Sequence, residues 1–204
     1  MAYVKDRNRT ARIRNVARAL QMNFVGDELF DVQELLTDFK LFDKGRNKKI
    51  YNVLHKADDW LELDLRIFDY EYTQNYGKHK KTYRQTVFFM RSRKLGMPEM
   101  LMKPETFFNK ITEYLNITQD IDFEEYPKFS SQYLLQGEDE EYIRTVMTDK
   151  VLKFFTKEKG WTLETLNFFM VLYKHNRVLK PWEINRLYGK GMKLHEMFKM
   201  EDLI

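Results

Sequence analysis

The chain contains no cysteine, only three serines and no long apolar stretch. The absence of cysteine excludes disulfides, thiolate metal sites and cysteine nucleophiles. Ser92, Ser130 and Ser131 lie outside any Gly-x-Ser-x-Gly sequence, which argues against a serine hydrolase. The longest apolar run covers only residues 168–173, and the first residues include charges instead of an apolar segment. We therefore expect neither a signal peptide nor a membrane-spanning helix, and we expect a cytoplasmic location.

Nucleotide-binding and metal-binding motifs are also missing from the sequence. Neither Gly-x-x-x-x-Gly-Lys nor Gly-x-Gly-x-x-Gly occurs, so the usual phosphate-binding loops are absent. His55, His79, His175 and His195 are spread along the chain without the paired spacing of a metal site. We therefore expect no cofactor and no metal ion.

The chain does have many apolar and aromatic side chains. Of its 204 residues 43% are hydrophobic, and they include 16 Phe, 12 Tyr and 3 Trp. This composition excludes a disordered chain and is sufficient for one sizeable core. We expect a single globular domain over residues 1–204, with an N-terminal helical segment over 1–40 and an α+β core over 41–204.

Apolar spacing predicts two helices, over residues 6–22 and 28–39. The pattern then alternates from Leu61 to Ile67, as in a half-buried strand, but its phase changes at Phe68. This change predicts either a β-bulge near residues 67 and 68 or a strand buried on both sides. Residues 83–90 are rich in strand-forming residues and should pair with this strand in a hairpin closed around residues 75–77.

The second half of the chain also mixes helix and strand patterns. The sequence predicts strands at 50–54, 100–103, 129–135 and 165–173, and helices beginning at Pro104 and Pro181. A further helical stretch covers 138–159, either as one helix or as two helices with a break at Thr148, a residue that can cap the second. Together these elements predict an α+β fold, a mostly antiparallel sheet flanked by N-terminal, central and C-terminal helices.

Positive charge is concentrated in the predicted hairpin. Seven Lys and Arg residues and no acid lie between Glu71 and Glu99, although the whole chain has a formal net charge of only +4. Basic residues interleaved with aromatic residues are typical of surfaces that bind phosphates and unstacked bases. The candidate binding residues are Tyr76, Lys78, His79, Lys80, Lys81, Tyr83 and Arg84. The same charges also fit a solvated hairpin tip that binds nothing.

Polar residues on the predicted strands provide two further hypotheses. Asp69 and Gln85 lie among aromatic residues of the hairpin, where they form either a structural buried pair or the floor of a pocket. Asp64, Asp69 and Glu71 are the candidate carboxylates of an alternative function, a hydrolase or nuclease. No recognisable catalytic set surrounds them, so the sequence favours a non-enzymatic binding or interaction domain.

An acidic block provides a third alternative. Residues 120–141 contain eight acids and only one base, Lys128. Separate acidic and basic blocks allow neutralisation within the chain or self-association into a scaffold. The expected partner of the basic hairpin is likewise anionic: a nucleic acid, a membrane surface or an acidic protein.

Several separated segments resemble a family of uncharacterised bacterial proteins. The segments are FDYEYT (68–73), TYRQTV (82–87), MPE (97–99), PE (104–105) and EYPKFSSQYLLQGEDE (125–140). The likeness extends from about Phe42 to Trp182. The resemblance implies a bacterial protein, and it implies no activity, cofactor or functional residue.

Overall fold

The computed structural model describes residues 7–27, 36–58, 62–106 and 120–200. Within them the chain forms an α+β fold, in which eight strands make one sheet and every strand pairing is antiparallel. The strands are β1 (Asn23–Gly26), β2 (Arg46–Asp58), β3 (Leu63–Tyr76), β4 (His79–Ser92), β5 (Met97–Pro104), β6 (Tyr133–Gly137), β7 (Thr162–Asn167) and β8 (Phe169–Tyr173). The helices are α1 (Arg7–Ala19), α2 (Lys40–Asp43), α3 (Pro127–Ser130), α4 (Glu140–Val146), α5 (Asp149–Lys157) and α6 (Pro181–Phe198). The strand order is β1-β2-β3-β4-β8-β7-β5-β6. None of the helices in these ranges has the length and apolar character needed to cross a membrane.

Both faces of the central hairpin are buried, which explains the phase change in its sequence. Leu65 and Ile67 belong to the core on one face, whereas Phe68 and Tyr70 belong to the core on the other. The β3–β4 pairing is unbroken, so the strand buried on both sides is the correct alternative. The register does shift between Tyr51 and Leu54, and the irregularity therefore lies in the neighbouring strand β2.

Helices cover one face of the sheet. The buried side chains that they contribute include Ile13 and Val16 of α1, Ile143 of α4, Phe155 of α5, and Leu187 and Leu194 of α6. Gly191 permits close approach of α6 to β4, because a Cβ atom at this position would overlap the ring of Phe88. This packing fixes α6 against the middle of the sheet.

The other face is covered by residues 36–43, which include α2, and its core is largely aromatic. Phe42 lies 4.8 Å from Tyr70 between ring centroids, in an edge-to-face arrangement. Tyr72 and Tyr83 are stacked at 5.1 Å across the β3–β4 hairpin. Such ring pairs add stability beyond the area that they bury.

Several predicted elements are confirmed, and others are wrong. α1, the hairpin and α6 agree with the sequence-based predictions, and of the two alternatives for residues 138–159 the break at Thr148 is the correct one. The predicted strand over 165–173 is instead two strands, because the chain turns at Asn167, whose φ is 50°. The predicted strand over 129–135 begins with helix α3, and only β6 is extended. β1 was not predicted within the N-terminal helical segment.

Two predicted helices fall wholly or partly outside the described residues. Residues 28–35 of the predicted second helix and residues 107–119 of the helix expected after Pro104 belong to this undescribed part. The prediction that a helix begins at Pro104 is wrong, because Pro104 is the last residue of β5 and pairs with Tyr133. This position fits proline, which is tolerated at the ends of strands.

Candidate functional site

The tip of the β3–β4 hairpin projects beyond the strands on either side of it. The pairing with β2 ends at Thr73, and the pairing with β8 ends at Val87. Residues 74–81 therefore pair only with each other, down to the last pair, Tyr76 with His79. Gly77 begins the two-residue loop with a φ of 58°, the positive φ that this kind of tight turn favours.

The cations of this tip have no acidic partners within the described part of the chain. Lys78, His79, Lys80 and Lys81 are all exposed, and none of them forms an ion pair with a described carboxylate. Tyr76 is 52% exposed beside them. We name Tyr76, Lys78, His79, Lys80 and Lys81 the hairpin tip.

Two of the predicted binding residues, Tyr83 and Arg84, contact other side chains of the protein. Tyr83 is 8% exposed, and its hydroxyl lies 2.9 Å from that of Tyr76. The Arg84 Nε atom donates a 2.8 Å hydrogen bond to Glu71, whose carboxylate also lies 3.6 Å from the Lys49 ammonium. The charge of Arg84 is thus matched by the protein itself, while the tip remains available.

Asp69 is the centre of a buried hydrogen-bond network. Its carboxylate accepts two bonds from the Arg9 guanidinium, at 2.8 and 2.9 Å, and one each from Asn52 and Thr86, at 2.9 and 2.8 Å. Arg9 also donates to the carbonyl oxygen of Leu179, at 2.7 Å. The network joins α1, the sheet and the segment before α6, and every lone-pair position of the carboxylate is used.

Gln85 does not share a pocket with Asp69, because the two side chains lie on opposite faces of the sheet. Asp69 pairs with Thr86 across the hairpin, whereas Gln85 pairs with Tyr70. The Gln85 side chain accepts from the backbone N–H of Asn176 at 3.3 Å and donates to the carbonyl of Tyr70 at 3.4 Å. Both buried side chains are hydrogen-bonded, as buried polar groups should be, but their partners differ.

The three carboxylates proposed for hydrolysis do not converge. Asp64 contacts Arg66 and His55, both at 3.1 Å, and strand alternation places it on the opposite face from Asp69 and Glu71. Within the ranges that the structure describes, no cluster of three or more His, Asp or Glu side chains is arranged to hold a metal ion. The three carboxylates therefore do not form a common reaction centre for a hydrolase or nuclease.

The sequence analysis missed a buried carboxylate on β7. Glu164 is 3% exposed, accepts a 2.8 Å hydrogen bond from the Tyr173 hydroxyl, and accepts another from the backbone N–H of Leu41 at 3.2 Å. Burial raises the pKa of Glu164, and the positive charge of Lys44 opposes that rise. The only signal in the sequence was an acid within an apolar stretch. Its contacts tie the residues around α2 to the sheet, which is a structural role.

The sequence analysis also missed two grooves on either side of α5. One, of about 350 Å³, lies between α5 and α6 and is rich in lysine. The other, of about 730 Å³, is lined by Asp120, Asp122, Glu124, Glu125, Glu140 and Asp149. The acidic block of the sequence thus lines a groove of its own, separate from the hairpin tip.

Comparison with protein-family models, with curated proteins and with solved structures finds no match to this chain. The functional proposals therefore depend on the geometry of the sites alone.

Proposed function

We propose that this domain binds single-stranded nucleic acid through the hairpin tip. The observation that carries the proposal is that three exposed lysines without acidic partners in the described residues surround two exposed rings. The lysines match backbone phosphates, and the rings of Tyr76 and His79 match unstacked bases. Of the anionic partners that the sequence leaves open, the proposal selects nucleic acid.

The arrangement of the tip supports contact along a strand. Tyr76 and His79 form a cross-strand pair, and alternation places Lys81 on the same face and Lys80 on the other. Because the tip extends beyond β2 and β8, it is accessible from both faces. A nucleic acid strand crossing it meets rings on one face and cations on both.

The composition of the tip favours nucleic acid over a membrane surface. Residues 74–81 contain no aliphatic side chain, no Phe and no Trp. Segments that insert into a membrane surface use such side chains as apolar anchors. An acidic protein would use the lysines but would not require the two exposed rings.

Salt-dependent binding tests the role of the lysines. We expect a fluorescent oligothymidylate to bind the wild type with an affinity that falls as salt rises. In Lys78→Gln/Lys80→Gln, the slope of log K against log salt should become shallower by about 1.4. The control Arg91→Gln/Lys128→Gln removes the same charge from exposed positions outside the tip and should bind like the wild type. Absence of binding at low salt, or equal losses in both variants, would overturn the proposal.

A ring substitution tests whether the partner is a nucleic acid and not simply a polyanion. Tyr76→Ser should weaken oligothymidylate binding by about 1 kcal/mol or more, because a stacking surface is lost. Phe168→Ser removes a ring that is also exposed, 45%, at the opposite end of β4, and should leave binding unchanged. Heparin and phosphatidylserine vesicles serve as polyanions without bases. If they bind as tightly as the oligonucleotide and Tyr76→Ser changes nothing, the nucleic acid proposal fails.

A further inference from the structure

We propose that the groove between α5 and α6 binds a small organic polyphosphate, such as a nucleotide. The groove, which we name the lysine groove, has a volume of about 350 Å³, within the range of small-molecule sites. Five lysines from two helices line it: Lys150, Lys153, Lys157, Lys190 and Lys193. This site is distinct from the hairpin tip and does not rest on the function proposed for it.

The lysine groove carries a large excess of positive charge. Its one acidic residue, Glu158, is paired with Lys190. The Lys153 ammonium lies 3.5 Å from the carboxylate of Asp149, a residue that lines the acidic groove. Lys150 and Lys157 form no ion pair with a carboxylate of the described ranges. Like charges brought together on two facing helices repel each other, so a bound anion would stabilise the arrangement.

Helix stability does not explain why Lys150 lies in the groove. It belongs to the first turn of α5, where the partial positive charge of the helix disfavours a cation. Lys150, Lys153 and Lys157 follow at intervals of three and four, so they lie along one side of the helix. All three line the groove beside the two lysines of α6.

A glycine of α6 provides an independent observation. Gly189 lines the groove in the interior of the helix, where glycine is less favourable than alanine. A Cβ atom at Gly189 would meet nothing within 4 Å, whereas one at Gly191 would overlap Phe88. Packing therefore accounts for Gly191 but not for Gly189. The missing side chain at Gly189 leaves this part of the groove open to a ligand.

The groove also has an apolar part, which points to an organic ligand instead of free phosphate. Phe154 and Met197 form part of its lining, and the Lys193 ammonium lies 5.7 Å from the centre of the Phe154 ring. Phosphate groups would contact the lysines, while an aromatic or sugar moiety would rest against Phe154 and Met197. We therefore expect ATP to bind more tightly than inorganic pyrophosphate, and pyrophosphate more tightly than phosphate.

Calorimetric titration with ATP, pyrophosphate, phosphate and adenosine, in the presence of a metal chelator, tests this site. ATP should bind the wild type, adenosine should not, and Lys150→Gln/Lys157→Gln should raise the Kd for ATP at least tenfold. Glutamine keeps a polar, unbranched side chain and a similar helix propensity, so we expect the fold to be retained. The control Lys78→Gln/Lys80→Gln changes the hairpin tip and should leave the Kd for ATP unchanged. In turn, Lys150→Gln/Lys157→Gln should bind oligothymidylate like the wild type, which separates failure of this proposal from failure of the first.

Gly189→Leu tests the groove without changing its charge. This substitution should raise the Kd for ATP at least tenfold because the side chain fills the groove, and it should not lower the Tm. Lack of ATP binding by the wild type at millimolar concentration would overturn the proposal, as would equal affinities in the wild type and both groove variants. The proposal would also be overturned if the groove instead received the acidic groove of a second copy. That outcome would appear as low-salt self-association that Lys150→Gln/Lys157→Gln abolishes and ATP does not affect.

Discussion

The β3–β4 hairpin has a covered part, here called the base, and a projecting tip. Among the described residues, the charges of the base are paired and those of the tip are not, although one continuous register joins the two parts. At the base, Asp69 and Glu71 are buried, and each is matched by an arginine, Arg9 or Arg84. At the tip, Lys78 and Lys80 are exposed and lack acidic partners in the described chain. The difference follows from the surroundings, because helices and residues 36–43 cover the base, whereas the tip extends beyond its neighbours. Buried charge must be paired, and exposed charge remains available for a partner.

The comparison therefore predicts that substitutions at the base affect stability and that substitutions at the tip affect binding. The largest expected effect is that of Asp69→Ala, which removes the acceptor of four hydrogen bonds in a buried network. We expect it to lower the free energy of unfolding by about 3–5 kcal/mol, as for other broken buried ion pairs. Urea denaturation measures this loss. Glu62→Ala is the control, since the side chains of Glu62 and its partner Arg93 are 45% and 66% exposed, and it should cost less than about 1 kcal/mol. Equal costs would mean that the buried network is not what distinguishes the base.

The next largest effect concerns the contact between the hairpin base and α6. Gly191→Ala places a methyl group against the Phe88 ring, and the resulting overpacking should cost about 1–3 kcal/mol. Gly189→Ala is a matched control two residues away in the same helix, where the new methyl group meets nothing. It should increase stability by up to about 1 kcal/mol, because alanine favours helix more than glycine does. Thermal unfolding of both variants should therefore give shifts of opposite sign, and a Tm that falls in both would contradict this account of α6.

The sequence predicts features that depend on neighbouring residues better than features that depend on residues far apart in the chain. Alternation of Leu65 and Ile67 with polar neighbours, followed by the change at Phe68, predicts both the strand and its burial on two faces. The requirement that a buried Asp69 be paired is also predictable, but its partner Arg9 lies 60 residues away and is defined only by the fold. The turn at Asn167 is missed because an apolar stretch follows it without glycine or proline.

The lysine groove was not predicted for the same reason, because its residues come from two segments that are distant in the sequence. The spacing of Lys150, Lys153 and Lys157 is visible in the sequence and places the three lysines on one side of a helix. Their relation to Lys190 and Lys193 arises when α5 and α6 pack side by side. Periodicity predicts which residues share one face of one helix, whereas a groove depends on how two helices pack together.

A smaller effect is expected from pH at the lower end of the hairpin. His195 of α6 lies 3.0 Å from the Ser92 hydroxyl, and burial lowers its pKa, with Lys199 and Lys94 acting in the same direction and Glu196 opposing them. The unfolded chain therefore takes up a proton at a higher pH than the folded protein does. The stability that neutral His195 contributes is present above about pH 6.5 and is lost as the pH falls through the folded-state value.

Measurements of unfolding between pH 7.5 and pH 5 test this contribution. His195→Gln should lessen the loss of stability that the wild type shows as the pH falls. The comparison of variant with wild type is needed because the raised pKa of Glu164 acts oppositely, and its stabilisation is lost as the pH rises. His79→Gln, at the exposed hairpin tip, is the control for removal of one imidazole, and its profile should follow that of the wild type. Identical profiles for His195→Gln and the wild type would contradict the prediction.

The smallest effect on stability is expected at the tip itself. Lys78→Gln/Lys80→Gln should change the free energy of unfolding by less than about 0.5 kcal/mol, because neither ammonium is paired with a described carboxylate and both are exposed. Mutual repulsion among Lys78, Lys80 and Lys81 is relieved in the variant, so any change should be a gain, and the gain should be greatest at low salt. The same variant should show the shallower salt dependence in oligonucleotide binding described above. A clear loss of stability would indicate that the lysines support the hairpin, and the distinction between base and tip would then disappear.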